Sequence, residues 1–234
     1  MDFESIMKEL ESLGSDRTKK IYMQQGAREP LYGVATGAMK PLVKAIKINQ
    51  PLAERLYATG NYDAMYLAGM IADPKSMTID DFDRWMESAY FYMISDYIVA
   101  VTLSESEIAQ AVSDTWIKSD RELHVSAGYS CYCWLLGNRK DDYFDKDKID
   151  KMLEVVAGKI GEAPDRARFA MSYFVAAIGV SYLPLHEKAL QISKDIQPVE
   201  IIKNGSKRVH HAEQEIQKAI QKGRIGFKRR YVRC

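Results

Sequence analysis

Apolar residues recur at three- and four-residue spacing through almost the whole chain, in runs short enough to be read one helix at a time. In "DFESIMKELESLG", Phe3, Ile6, Met7 and Leu10 share one face, and the run stops at Gly14. "KPLVKAIKI", from Lys40 to Ile48, turns Leu42, Val43 and Ile46 inward and Lys40, Lys44 and Lys47 outward. "NQPLAERLYATG" opens with Asn49 as a cap and Pro51 in the first turn, and ends at Gly60. "NYDAMYLAGMIADP" runs to Pro74, and Thr78 with Asp81 and Ser104 with Glu107 read as capping-box starts of later helices. "RELHVSAGYSCYCWLLG", "DKIDKMLEVVAGKIG", "PDRARFAMSYFVAAIG" and "PLHEKALQISKDI" continue the series. No period-two run with hairpin chemistry stands out, so the expected fold is all-α.

Helices of about 10–16 residues with short breaks between them pack as antiparallel neighbours. Their recurrence at roughly 40 residues predicts HEAT-like helical repeats stacked into a curved α-solenoid, an α-α superhelix, with a compact irregular bundle as the alternative. Residues 1–222 read as a single repeat domain and 223–234 as a basic C-terminal tail. A solenoid presents a long concave face, and Lys40, Lys44, Arg139, Lys140, Arg166 and Arg168 are candidates to line it against a nucleic-acid backbone.

Charge adds to this expectation. The net charge is only +1, yet residues 201–234 hold ten Lys or Arg against two Asp or Glu, leaving an acidic remainder. The closing "GRIGFKRRYVRC" carries Arg224, Lys228, Arg229, Arg230 and Arg233 without one acid, and reads as a non-specific phosphate arm. No stretch reaches 18 consecutive apolar residues, so no membrane span is expected. The acidic, amphipathic N-terminus does not have the charge of a signal or transit peptide. Cys131, Cys133 and Cys234 are a sparse, odd set, consistent with a reducing compartment and a cytoplasmic location. Monomer is the default state.

Familiar catalytic motifs are missing. There is no Walker loop, and "YGVATG" does not follow a strand as a dinucleotide fingerprint would. Cys131 and Cys133, two apart on a helix, point in nearly opposite directions, and His210-His211 is an adjacent pair; neither suits one metal ion, so no metal and no cofactor are expected. Asp96 is the acidic residue that stands out, alone among apolar, aromatic and Ser residues in "AYFYMISDYIVAV". A buried carboxylate costs several kcal/mol, of order 5, unless it is paired or hydrogen-bonded. Tyr92 lies four residues earlier, on the same helical face. A structural Asp that caps or pairs is the competing reading.

The segments "EPLYGVATGAMKPLVKAIK", "GNYDAMYLAGMIADPKSMTIDDFDRWM", "FYMISDYIV", "WIKSD" and "DRARFAMSYFVAAIG" resemble, in this order, the HEAT-repeat DNA alkylation repair proteins, the AlkD-like N-alkylpurine DNA glycosylases. The resemblance spans most of the chain. It implies Asp96 as the catalytic carboxylate, four residues after the aromatic Tyr92, with Tyr22 and Tyr173 as further aromatic walls at the substrate. Two of those walls are typically Trp, so Tyr92 and Tyr173 keep a π-face of smaller area. A family Arg in the helix after "WIKSD" falls on Ser126, which the resemblance therefore implies as a further substrate contact. The implied partner is double-stranded DNA, especially alkylated DNA. The implied reaction is N-glycosidic cleavage of cationic alkylpurines, with a carboxylate stabilising oxocarbenium character on the sugar. The alternative is a catalytically inactive relative that binds damaged or branched DNA through the same basic face; Ser126 is the feature that favours it. A protein-interaction adaptor is the third class.

Overall fold

A computed structural model describes residues 1–203 and 206–233. They fall into two compact units: unit 1 holds residues 1–109 with Lys203, Ser206 and Arg233, and unit 2 holds residues 110–202 and 207–232. In unit 1 the helices are α1 (Phe3–Leu13), α2 (Asp16–Gln25), α3 (Lys40–Ile46), α4 (Gln50–Tyr57), α5 (Tyr62–Ile71), α6 (Ile79–Glu87) and α7 (Tyr92–Leu103). In unit 2 they are α8 (Ala109–Trp116), α9 (Glu122–Asn138), α10 (Lys146–Lys159), α11 (Asp165–Ser181) and α12 (His186–Asp195). A two-stranded hairpin, β1 (Val199–Lys203) and β2 (Ser206–His210), and α13 (Ala212–Gln221) follow. The fold is all-α and HEAT-like, as the helical periodicity predicts.

The starts of the unit 1 helices follow from local chemistry. Asp2, Ser15, Asn49, Asn61 and Thr78 each accept a hydrogen bond from a backbone N–H in the first turn, satisfying donors that a helix start leaves orphaned. Thr78 and Asp81 form a full capping box. α4 and α5 pack as a pair, and α5 in turn packs on α7. At the second contact Gly69 leaves room for Ile98, since a Cβ at Gly69 would stand 2.7 Å from Ile98 Cγ2. The core includes Leu56, Leu67, Phe82, Trp85 and Ile94, all fully buried or nearly so. Tyr57 stacks on Trp85 at 4.0 Å and donates its hydroxyl to the Trp85 carbonyl.

In unit 2, α11 is central and packs against α9, α12 and α13. Tyr129 and Tyr132 of α9 meet Phe174 of α11, with ring centroids 5.3 and 6.0 Å apart. Gly179 of α11 leaves room for Ile216 of α13, since a Cβ at Gly179 would stand 2.3 Å from Ile216 Cδ1. Among the described residues, no single helix is long and apolar enough to cross a membrane.

Four local differences from the sequence reading have physical reasons. The hairpin is one: "VEIIK" and "SKRVH" pair as two strands, their Val199, Ile201, Ile202 and Val209 being β-branched residues that favour extended backbone. Helix α3 stops at Ile46, because Lys47 adopts φ 62. Ser104 starts no helix; its hydroxyl donates back to the Val101 carbonyl and closes α7. The basic tail is docked at two residues. Lys228 Nζ donates to the carbonyls of Leu136 and Ser181 and pairs with Asp141 at 2.8 Å. Arg233 pairs with Glu105 at 2.6 Å and donates to the carbonyls of Gly69 and Ala72. Helix C-termini present carbonyls without partners, and a cation is the natural group to take them.

Candidate functional site

α7 carries Asp96, and its geometry departs from an ordinary helix at that point. Phe91 is extended, with φ −157 and ψ 165; Tyr92–Ile94 form an α turn, Ser95–Val99 a π turn, and Ala100–Leu103 a final α turn. A π turn inserts one residue into the helical ladder and re-aims the side chains on it, which is why such turns gather at functional sites. Asp96 lies in this turn and is 3% exposed. Ser95 Oγ donates to Asp96 Oδ1 at 2.7 Å. The structure thus bears out the burial read from the apolar run.

Tyr22 and Tyr92 belong to one row of rings, which continues from Tyr92 to Tyr97 at 6.2 Å. Tyr22 meets Tyr62 edge-on at 5.0 Å, Tyr62 meets Phe91 at 5.3 Å, and Phe91 meets Tyr92 at 5.9 Å. Tyr22, half-buried on α2, donates its hydroxyl to the Val34 carbonyl at 3.0 Å, and burial pushes its pKa up. Tyr92 is buried, and its hydroxyl donates to Gln25 Oε1 at 3.1 Å. Both hydroxyls are therefore engaged inside the protein.

The loop between α2 and α3 is held by a residue the sequence reading passed over. Asp63 is fully buried and accepts the backbone N–H groups of Tyr32, Gly33 and Val34 at 2.6, 3.0 and 2.8 Å. Gly33 takes φ 80, and its neighbours lie too close for a Cβ. Burial raises the Asp63 pKa more than the three donors lower it. In the sequence Asp63 sits two places after the Asn61 cap, where an acid is normally solvated and complements the helix dipole. Only the fold brings a loop over it.

Unit 2 holds the other expected site residues. Tyr173 is 37% exposed on α11; its ring stacks on His210 at 3.8 Å and tilts against Phe169 at 5.3 Å. Ser126 lies fully buried within α9, so it does not present its hydroxyl to a ligand here, contrary to the substrate contact expected of it. Cys131 is buried, and its thiol is pushed up to about 12, which makes it inert as a nucleophile. Among the described residues, no three His, Cys, Asp or Glu side chains are grouped to hold a metal.

The basic residues divide into two kinds. Lys40 and Lys44 in unit 1, and Lys140, Arg224, Arg229 and Arg230 in unit 2, are exposed. Arg229 also reaches over Trp134 at 5.9 Å and Arg230 over Tyr231 at 5.1 Å. Half-buried side chains make up the second kind. Arg139 reaches over Tyr143, Arg166 over Phe169, and Arg168 pairs with Asp165 at 2.6 Å. Lys228 and Arg233, expected in the phosphate arm, are instead spent on helix ends and on Asp141 and Glu105. A cation enclosed by carbonyls and a carboxylate has little left to offer a phosphate.

Capped helix pairs, with a buried acid on a π turn of the helix that also carries Tyr92, place the chain among the HEAT-like helical-repeat proteins. The sequence matches the DNA alkylation repair enzyme family over residues 6–209, and the chain belongs to that family. The uncharacterized protein Lmo0209 of Listeria monocytogenes is 26% identical over 223 residues, 93% of this chain and 96% of the relative. The uncharacterized protein Lin0241 of Listeria innocua is 25% identical over 204 residues, 85% and 88% of the two chains. One solved structure represents a new family of proteins related to the HEAT-like repeat DNA glycosylases with affinity for branched DNA structures. It is 60% identical to this chain, covers 100% of both chains and superposes with a TM-score of 0.95.

Proposed function

We propose that this protein binds DNA, with preference for branched over linear duplex, and does so without excising bases. The observation that carries this reading is the full-length likeness, at 60% identity, to a protein of a family with affinity for branched DNA structures. The state of the site supports it. Asp96 is enclosed and bonded to Ser95, Tyr92 is buried against Gln25, and the position of the family's Arg is a buried Ser126. Binding then rests on phosphate contacts by Lys40, Lys44, Lys140, Arg224, Arg229 and Arg230, the exposed cations, which makes it steeply salt-dependent. The half-exposed Tyr173 is the aromatic wall still available to DNA.

N-glycosidic cleavage of cationic alkylpurines with Asp96 as the carboxylate is the second reading, favoured by the π turn that carries Asp96. Two measurements on one preparation decide between them. A four-way DNA junction and a linear duplex of equal length are titrated by fluorescence anisotropy at about 50 mM salt, where ionic contacts are strong. Release of 7-methylguanine and 3-methyladenine from methylated duplex is assayed alongside, with Asp96→Asn as control. Tighter junction binding with no Asp96-dependent release is the expected result. Equal affinity for both DNAs overturns the branched preference, and base release lost in Asp96→Asn establishes the glycosylase instead.

A further inference from the structure

Tyr173 is braced from behind by a residue that neither the family resemblance nor the charge pattern singles out. We propose that His210 is a positioning residue that holds the Tyr173 ring in the orientation in which it meets DNA, a role that rests on the DNA-binding reading above. The His210 ring lies parallel to within 25° of Tyr173 at 3.8 Å, and His210 is 3% exposed where Tyr173 is 37% exposed. One face of the tyrosine is therefore backed by a buried ring while part of it faces solvent. Three neighbours lie against His210, one of them through a hydrogen bond. Ser172 Oγ lies 2.7 Å from Nδ1, Glu215 Oε2 lies 3.4 Å from Nε2, and the Phe169 ring tilts against it at 5.7 Å. The hydrogen bond is the one between Ser172 and Nδ1; Glu215 stands beside Nε2 without hydrogen-bonding to it. Ser172 precedes Tyr173 on α11, whereas His210 ends β2. The second strand of the hairpin thus finishes in the ring that steadies the tyrosine.

The surroundings suit a nucleic-acid contact. Arg166 lies over the Phe169 ring at 5.1 Å, and Phe169 in turn tilts against Tyr173 at 5.3 Å. A part-exposed Tyr with a cation over the neighbouring ring is a stacking partner for a base or sugar, and such contacts hold only if the ring is aimed before the ligand arrives. Immobilising a free side chain on binding weakens affinity by about three- to tenfold, and a ring already stacked avoids that loss.

The test reads the ring and the binding separately. Tyrosine rings are ¹³C-labelled, and the Tyr173 resonance is identified by its disappearance in Tyr173→Phe. In His210→Ala this resonance is expected to move towards the free-tyrosine position, and junction Kd to rise about three- to tenfold with an unchanged salt slope. His210→Phe, which restores a ring behind Tyr173, should recover most of both. Adding His210→Ala to Tyr173→Ala should weaken binding no further than Tyr173→Ala alone. Should His210→Ala fail to fold, His210→Gln, which keeps a partner for Ser172 but loses the ring, replaces it. A Tyr173 resonance that does not move, or one that moves with Kd unchanged, overturns the proposal. A wild-type protein that does not bind the junction overturns the DNA-binding reading instead, and the ring shift alone then shows whether His210 orients Tyr173.

Discussion

Two buried carboxylates in unit 1 illustrate how little side-chain type says about role. Asp63 receives three backbone N–H groups and fixes the loop that carries Gly33, while Asp96 sits on the π turn with Ser95 as a donor. Asp63→Ala leaves those three donors without their acceptor, and should cost about 3 kcal/mol of stability in urea unfolding. A smaller loss would mean that water or the loop itself takes over the acceptor role. The pH dependence has a definite sign. Burial raises the folded-state pKa of Asp63 above its unfolded value of 3.8, so its contribution is full below that value and is lost as pH rises through the folded pKa. The stability of wild type relative to Asp63→Asn is accordingly expected to grow as pH falls through this window. A difference that shrinks on acidification would instead show that the three N–H donors outweigh burial.

At the scale of elements, the ends of helices decide more than their middles. Lys228 takes carbonyls from the last turns of both α9 and α11, and Arg233 does the same at the end of α5. Lys228→Met removes the donor and the charge while keeping most of the apolar stem. It should destabilise by about 2 kcal/mol, lowering Tm by roughly 4–8 °C for a chain of this size. Arg233→Ala should cost a similar amount through Glu105 and the Gly69 and Ala72 carbonyls. The neighbouring Arg230→Gln, whose side chain is exposed, should leave Tm unchanged within about 1 °C. If Lys228→Met left Tm unchanged and altered only DNA affinity, the docked-tail account would be wrong and a phosphate arm right.

On the scale of the whole molecule, the near-zero net charge conceals cations of two kinds. Exposed ones should set the salt dependence of binding: Arg229→Gln with Arg230→Gln is expected to reduce the slope of log K against log salt by about 2. The docked ones should set stability. Removing residues 224–234 takes both kinds at once, so the truncated chain is expected to melt about 10 °C lower as well as to bind DNA less tightly. Truncation that lowered affinity alone, at constant Tm, would contradict the contacts made by Lys228 and Arg233.

Helical periodicity, cap residues and short breaks specify an all-α chain, because these signals are local and each repeats along the sequence; they favour HEAT-like pairs but leave a compact bundle open. The apolar run around Asp96 likewise announced a buried carboxylate, since a charge among so many apolar side chains has nowhere to go but inward. The order of motifs carried the family, which the match over residues 6–209 bears out. Other features depended on contacts between distant residues. Asp63 looks like an ordinary helix-start acid until the loop at Gly33 folds over it, 30 residues away in sequence. Lys228 looks like a tail cation until the carbonyl of Leu136, 92 residues away, meets it. His210 becomes a brace for Tyr173 only when β2 is laid beside α11. A pattern reports where a side chain faces on its own element; which group waits there is decided by tertiary packing.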